Sequence, residues 1–229
     1  MIKQIHLKQC DSTQDILKEQ LSAGVSETVL VSTDRQVKGR GRGTHSWDDL
    51  PGSLCFSFSL TPHPVNSLSS LEVSLLVLEY FKEKGKTLLL KWPNDLWSSE
   101  NKKCGGVLLQ GSKDIYLAGI GLNLFSDNPQ YGGIYEDKNT FDKKTLAAEI
   151  AEYILSHRIK DRESLQKRWL ASCGHLNARV EISEGETHKK GIFKGIGEYG
   201  EAIVETDNGL EQFFNGSLRL SDDSLGDGV

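Results

Sequence analysis

The stretch TLLLKWPNDLWSSENKKCGGVLLQGSKDIYLAGIGLNL, residues 87–124, decides the architecture. Short apolar runs alternate with polar turns, Ser99-Glu100-Asn101 and Gly111-Ser112-Lys113-Asp114, which is how hairpin-connected strands are written. The pattern predicts strands over Thr87–Trp92, Asp95–Ser98, Lys103–Gln110 and Ile115–Leu122, the last three as an antiparallel meander. Pro93 interrupts the first of them, as at a bulge or edge, and leaves Asn94 and Asp95 beside apolar neighbours.

Upstream, Asp11-Ser12-Thr13 reads as a helix start with Ile16, Leu17 and Leu21 on one face and Gly24 as the stop. Thr28–Ser32 is β-branched and apolar, a buried strand, and residues 33–52 form a long polar, glycine-rich loop. Leu54, Phe56, Phe58 and Leu60 alternate with Cys55, Ser57 and Ser59, so one face of that strand lies in the core. Pro62 and Pro64 end it. Apolar residues at helical spacing run from Leu68 to Phe81, closed by Gly85. Downstream, Leu146, Ile150 and Ile154 mark a helix from Asp142 to about His157, and residues 161–173 are a second amphipathic stretch. Strands and helices in blocks, without strict βαβ alternation, predict an α+β domain with a mixed or antiparallel sheet.

After Gly174 the texture changes. Arg179–Ile182, Gly191–Ile196, Ala202–Glu205, Gln212–Asn215 and Ser217–Leu220 are five short strand candidates, with Asp207-Asn208-Gly209 as a hairpin turn. They suggest a small SH3-like barrel. The expected organisation is a main domain over 1–174, a small β domain over 175–221, and a frayed tail over 222–229.

The net charge of −5 on 229 residues argues against a protein built to coat nucleic acid. Charge is nevertheless uneven. No acid falls between Asp34 and Asp48, where Arg35, Lys38, Arg40 and Arg42 crowd together; a local basic loop points to a small anion. No apolar run is long enough to span a bilayer and the N-terminus turns polar too soon for a secretory signal, so a cytoplasmic address is expected. Cys10, Cys55, Cys104 and Cys173 lack metal-ligand spacing and read as reduced thiols.

Four segments are able to carry chemistry. In Gly39-Arg40-Gly41-Arg42-Gly43, ending at Trp47, glycines free the backbone N–H groups to surround an anion while arginines add bidentate donors. Such a loop is expected to be loose until a ligand orders it. Lys91, leaving an apolar strand in Lys91-Trp92-Pro93-Asn94-Asp95-Leu96, needs a partner or an anion, although the segment reads equally well as a strand end with a turn. In Lys103-Cys104-Gly105-Gly106 strand parity puts Lys103 on one face with Gly105, and Lys102 on the other with Gly106. Gly119-Ile120-Gly121-Leu122-Asn123 ends a strand on an asparagine placed to read a base edge.

Taken together and in this order, the GRGR loop with Trp47, KWPNDL, KCGGVL and GIGLN resemble the biotin–protein ligase family. KWPNDL and the GRGR loop are the specific elements, and the resemblance covers essentially the whole chain. It implies a class II synthetase-like catalytic domain with a small SH3-like domain, and ATP-dependent activation of biotin followed by transfer to a lysine of a biotin carboxyl carrier protein. By that resemblance Ser12, Thr13, Gln14, Gln36, Gly39, Arg40, Gly41, Arg42, Lys103 and Gly106 surround biotin, with Lys103 and Arg40 catalytic. Arg42, Trp47, Lys91, Asn94, Asp95 and Asn123 take ATP. Magnesium arrives with ATP, with Asp95 as its one candidate protein contact. The family usually has asparagine where this chain has Gln14, arginine at His45, glutamate at Gln110 and a small residue at Lys38.

Three other readings compete with it. A lipoate or other acyl ligase of the same fold differs by its acid. A bifunctional ligase and repressor needs a DNA-binding module before the helix at Ser12-Thr13, where the sequence leaves no room for one. An RNA-binding module on the Arg-Gly loop needs interleaved aromatic residues, and the segment has only Trp47. No DNA and no membrane partner is expected, and both a monomer and a side-by-side homodimer fit.

Overall fold

The computed structural model describes residues 2–43, 45–48, 50–111, 114–138 and 141–221. The expected tail, 222–229, lies outside the described residues. The first half of the chain folds around a seven-stranded sheet in the order β1-β2-β5-β9-β8-β7-β6. Its strands are β1 (Ile2–Leu7), β2 (Thr28–Thr33), β5 (Ser53–Leu60), β6 (Leu88–Lys91), β7 (Asp95–Ser98), β8 (Lys103–Gly111) and β9 (Tyr116–Asn123). From β6 to β9 each strand pairs antiparallel with the next, so the meander extends one strand beyond the three expected. β1 was not anticipated. It is a half-buried edge strand parallel to β2, and its mixed polar and apolar residues carry too little alternation to announce it.

The two faces of the sheet have different fates. Leu54, Phe56, Phe58 and Leu60 of β5, with Ala118, Ile120 and Leu122 of β9, face the large core beneath α2 (Ser69–Glu83) and α3 (Lys143–Ser156). Helix α2 is buried almost all round, as a helix apolar on every side must be. Its Glu72 is fully buried and held by Nε and Nη2 of Arg158, at 2.7 Å each, and by Ile159 N–H at 2.8 Å. The opposite face carries α1 (Thr13–Ser22) over β2 and β5, with Leu17, Val29 and Val31 forming a small cluster of their own. Beyond α1 that face is the floor of a cavity.

Residues 33–52, expected as an open loop, contain a short antiparallel ribbon. β3 (Gly39–Arg40) pairs with β4 (Ser46–Trp47), Gly39 opposite Trp47 and Arg40 opposite Ser46. Two residues per strand are too few for a periodicity to show in the sequence.

α4 (Arg162–Ala171) leads into a second, five-stranded antiparallel sheet, the SH3-like unit. It is made of β10 (Arg179–Glu184), β11 (Thr187–Ile196), β12 (Ala202–Thr206), β13 (Gly209–Phe213) and β14 (Ser217–Leu220), in the order β13-β12-β11-β10-β14. β13 starts earlier than predicted because Thr206 pairs directly with Gly209, leaving Asp207-Asn208 as the hairpin loop. The second sheet rests on the first without a break in the apolar cluster: Val180, Ile182 and Phe193 belong to the same core as α2. Trp92 Nε1 donates to Gly200 O at 2.9 Å, and Gln166 Nε2 to Gly197 O at 2.6 Å. Gly200 sits at φ +82°, with Leu71 Cδ1 only 2.7 Å from where a Cβ would lie. Among the described residues no helix is long and apolar enough to cross a membrane, and the four cysteines form no disulfide.

At this junction His175 is buried between Phe193, 4.3 Å away ring to ring, and Trp169. Burial lowers its pKa to about 3, and the positive charge of Lys91 adds to the effect. The folded protein therefore keeps the ring neutral, while an unfolded chain protonates it near 6.5. Between those values the unfolded state binds the extra proton, so stability falls as the pH is lowered, by up to about 1.4 kcal/mol per unit. Urea midpoints measured from pH 7 down to pH 4 are expected to drop more steeply for the wild type than for His175→Gln, with parallel curves as the contrary result.

Candidate active site

The cavity floor is made by the residues of β5, β8 and β9 that face away from α2. Registers pair Ser57 with Gly119, Cys55 with Gly121, Gly106 with Gly121 and Leu108 with Gly119. Glycine is required here. A Cβ on Gly121 would lie 2.5 Å from Trp47 Cε2 and one on Gly119 2.9 Å from the Gln14 amide, so these bare positions let an indole and an amide lie flat on the sheet. Gln14 Nε2 donates to Leu108 O at 2.9 Å and Leu117 O at 3.2 Å, pinning α1 to β8 and β9 and leaving its carbonyl oxygen with acceptor capacity.

At the α1 end, Gln36 Oε1 accepts from Thr13 N–H at 2.9 Å and Thr13 Oγ1 at 3.1 Å, and that hydroxyl lies 2.8 Å from Ser57 Oγ. Ser12 occupies the N-cap position with extended φ/ψ, yet its side chain makes no cap hydrogen bond. Its hydroxyl instead faces Arg40 Nη2 at 3.5 Å. Ser12 thus starts α1 through its backbone, its carbonyl accepting from Ile16 N–H at 3.3 Å, while its side chain lines the cavity.

The inner wall carries the charge. Lys103 Nζ lies 2.7 Å from Asp95 Oδ1 and Lys91 Nζ 3.6 Å from Asp95 Oδ2. Burial lowers the Lys91 pKa, Asp95 opposes the shift and Lys103 reinforces it; the ammonium also sits 5.3 Å from the centre of the Trp97 ring. Lys102 points away and pairs with Glu100 at 3.1 Å. The expected separation of the two lysines is thus observed, but the parity behind it is not. β7 and β8 pair Leu96 with Gly105 and Trp97 with Lys103, so a bulge at Cys104 adds one residue. Lys103 therefore shares its side with Gly106, whose Cβ would lie 3.7 Å from Lys103 Nζ, while Gly105 faces Leu122 and Leu96 in the core.

The ribbon of residues 39–47 closes the cavity from above. Arg40 Nη2 pairs with Asp15 Oδ1 at 2.5 Å. Arg42 Nη1 donates to Gly216 O at 3.1 Å; burial holds this guanidinium below its usual pKa, with Asp95 opposing. The Trp47 ring lies 5.9 Å from Lys103 Nζ, and its indole N–H is buried without a partner. The enclosed cavity is about 970 Å³, ample for a small acid and a nucleotide together.

Every residue singled out from the sequence lines this cavity except Gly39. Gly39 lies behind the ribbon, where a Cβ would come within 2.6 Å of Trp47 O, so it permits the ribbon to pair. Asn94 lines the wall and also braces β8, its backbone carbonyl accepting from Val107 N–H and its side-chain amide donating to Val107 O. Asn123 Oδ1 accepts from Ser53 Oγ at 3.0 Å. The sequence reading missed Ser57, Tyr131, Asp48 and the second sheet's contribution, Gly216–Arg219 with Ser183. Ser57 was visible as the off-core position of an alternating strand. Nothing local marks Arg219, which reaches the cavity only through the packing of the two sheets. Among the described residues no three of His, Cys, Asp and Glu gather as a metal site.

Glycine floor, amide-and-hydroxyl end and cationic wall define a class: an α+β domain with a ligand-sized cavity that is polar at one end and positively charged along one wall. Residues 7–124 match the biotin/lipoate A/B protein ligase family. The chain is 35% identical over 131 residues to biotin–protein ligase 2 of Arabidopsis thaliana, covering 52% of this chain and 39% of that protein. It is 25% identical over 231 residues to the bifunctional ligase/repressor BirA of Escherichia coli K12, covering 92% of this chain and 71% of BirA. The biotin protein ligase of Aquifex aeolicus, solved in complex with biotin and ATP, superposes with a TM-score of 0.79 at 32% identity, over 96% of this chain and 99% of that one. The chain belongs to the biotin/lipoate A/B protein ligase family.

The Gln14 amide gives a direct test of the floor. Gly119→Ala and Gln14→Ala are each expected to cost about 1–3 kcal/mol, the range for leaving buried carbonyls unsatisfied. The double variant should cost no more than Gly119→Ala alone, because the added methyl acts through the amide it displaces. Additive losses in urea titrations would mean that the two residues do not meet.

Proposed function

We propose that the protein activates biotin with ATP, forming biotinyl-5′-adenylate and pyrophosphate, and then transfers the biotinyl group to a lysine of a biotin carboxyl carrier protein. The convergence of Lys103, Arg40 and Arg42 on one glycine-floored cavity carries this reading. It is supported by 32% identity, across nearly the whole chain, to a biotin protein ligase solved with biotin and ATP.

Biotin is mostly apolar with a polar ureido end, and the Gln36–Thr13–Ser57 relay with the free Gln14 carbonyl offers that end both donors and acceptors. Its carboxylate then extends along the sheet toward Lys103 and Arg40. Attack of a carboxylate oxygen on the α-phosphorus brings two anions together, which becomes feasible only where fixed cations surround them. Lys103, freed from Asp95, holds both reactants and balances the charge that builds as the Pα–O bond to pyrophosphate breaks. Trp47, Asn123 and Lys91 take the nucleotide. The ribbon of residues 39–47 shields the adenylate from water, which would otherwise hydrolyse it. In the second step the carrier's amine attacks the biotinyl carbonyl, the C–O bond breaks, AMP leaves and the amine sheds its proton.

The donor set does not favour a resident magnesium ion. Asp95 is the carboxylate on the inner wall and is engaged by two lysines. Magnesium therefore belongs to the MgATP co-substrate and not to a site on the protein.

The decisive experiment is pyrophosphate release from MgATP with biotin or lipoate as the acid. Release with biotin and none with lipoate is expected, and the reverse would assign the fold to another acyl transfer. Lys103→Ala should abolish adenylate formation, whereas Lys102→Ala should leave it within about twofold, as for an exposed ion pair. Arg40→Ala should raise the rate at which free biotinyl-adenylate appears in solution; an unchanged leak would remove the ribbon from its assigned role.

A further inference from the structure

Arg40 does not wait with its charge unpaired. Its guanidinium is bound to Asp15 at 2.5 Å and faces Ser12 Oγ at 3.5 Å. Asp15 stands in the first turn of α1, where the helix N-terminus favours a carboxylate. It does not line the cavity, whereas Arg40 does. Both side chains are about half exposed, so the pair is weak and releasable.

The backbone around Arg40 is fixed on both sides. At the root, Cys10 N–H donates to Arg35 O, Val37 N–H to Cys10 O and Lys38 N–H to Asp11 O, and Lys38 Nζ pairs with Asp11 at 2.8 Å. Beyond it, Arg40 pairs with Ser46 in the ribbon, and Gly41 N–H donates to His45 O at 2.7 Å. What remains free is the long arginine side chain, which is able to swing between Asp15 and the cavity without the ribbon unfolding. The same arrangement holds on the inner wall, where Asp95 occupies Lys103.

We propose that Asp15 is a positioning residue whose carboxylate holds Arg40 in the ligand-free cavity as a stand-in for the substrate's carboxylate, so that an acid binds by exchanging one carboxylate for another. This rests on the biotin reading for the identity of the acid. Only an ionised acid draws Arg40 across, because only a carboxylate replaces what Arg40 gives up; an uncharged analogue leaves the pair with Asp15 intact. The exchange also lets the arginine return to Asp15 once the biotinyl group has left.

The test compares the wild type with Asp15→Asn and Asp15→Glu in two measurements. In ligand-free protein, limited trypsin cleavage after Arg40 is read against cleavage after Arg42, whose guanidinium is held by Gly216 O. Calorimetry gives affinities for biotin and for its uncharged carboxamide. Asp15→Asn is expected to raise the Arg40:Arg42 cleavage ratio about threefold and to tighten biotin about threefold, the size a half-exposed ion pair carries. Carboxamide affinity should stay unchanged, and Asp15→Glu should restore both values. An unmoved cleavage ratio overturns the proposal, as does equal tightening of biotin and carboxamide. If the wild type binds no biotin, the functional reading fails, and the latch stands or falls on the cleavage ratio alone.

Discussion

The Asp95 carboxylate, 2.7 Å from Lys103 Nζ and 3.6 Å from Lys91 Nζ, is what allows two ammonium groups to share one wall of a largely enclosed cavity. Two like charges gathered round one carboxylate repel each other, and by more as water is excluded. Lys91 already shows the strain of burial in its lowered pKa, with Lys103 deepening it and Asp95 resisting. The face of Trp97 supplies a second, weaker partner for Lys91. With those partners in place Lys91 stays put, and Lys103, more exposed and bonded by a single carboxylate oxygen, is the cation that incoming anions are able to draw away.

That geometry depends on one inserted residue. A regular strand from Lys103 to Gly106 would send the lysine to the same side as Gly105, against Leu96 and Leu122. The bulge at Cys104 rotates it by one position, toward Gly106 and Asp95. Cys104 fills the space so created as a buried thiol whose pKa is pushed up to about 12, which makes it packing and not a nucleophile. Alternation along a sequence assumes one residue per pleat, and a bulge breaks that count without a necessary change in composition. The motif therefore announced an inward lysine, while the period-2 argument placed it beside the wrong glycine.

Much of the rest was legible for definite reasons. β5 alternates large apolar with small residues because one face packs under α2 while the other must stay shallow for a ligand, and the glycines of β9 continue the same demand. Asp142 and Asp161 stand before their helices with side-chain oxygens accepting from the first-turn N–H groups, as cap residues should. What could not be read is whatever depends on distant packing. Arg219 and Gly216 come to the cavity because Trp92 and Gln166 tie the second sheet to the first, and Tyr131 comes to it through its 2.7 Å bond to Asp48. None of these contacts has a local signature.

The second sheet is also where the cavity's charge stops balancing. Arg42 is desolvated against Gly216 O, a neutral acceptor, and Gly216 is obliged to be glycine because it sits at φ +119° with Ser183 O 2.1 Å from where a Cβ would lie. Among the described residues five cationic side chains line the cavity, Arg40, Arg42, Lys91, Lys103 and Arg219, against the two carboxylates of Asp48 and Asp95. Asp15 answers Arg40 from outside the wall, and Asp48 is engaged by Tyr131. The remainder is a surplus of positive charge concentrated where the ribbon meets the second sheet. Gathered on one side of a cavity, such a surplus makes a positive field that favours an anion. On the proposed reading the nucleotide's phosphates supply the charge that Arg42 lacks, and Arg42 in turn fastens the ribbon to the second sheet through Gly216 O.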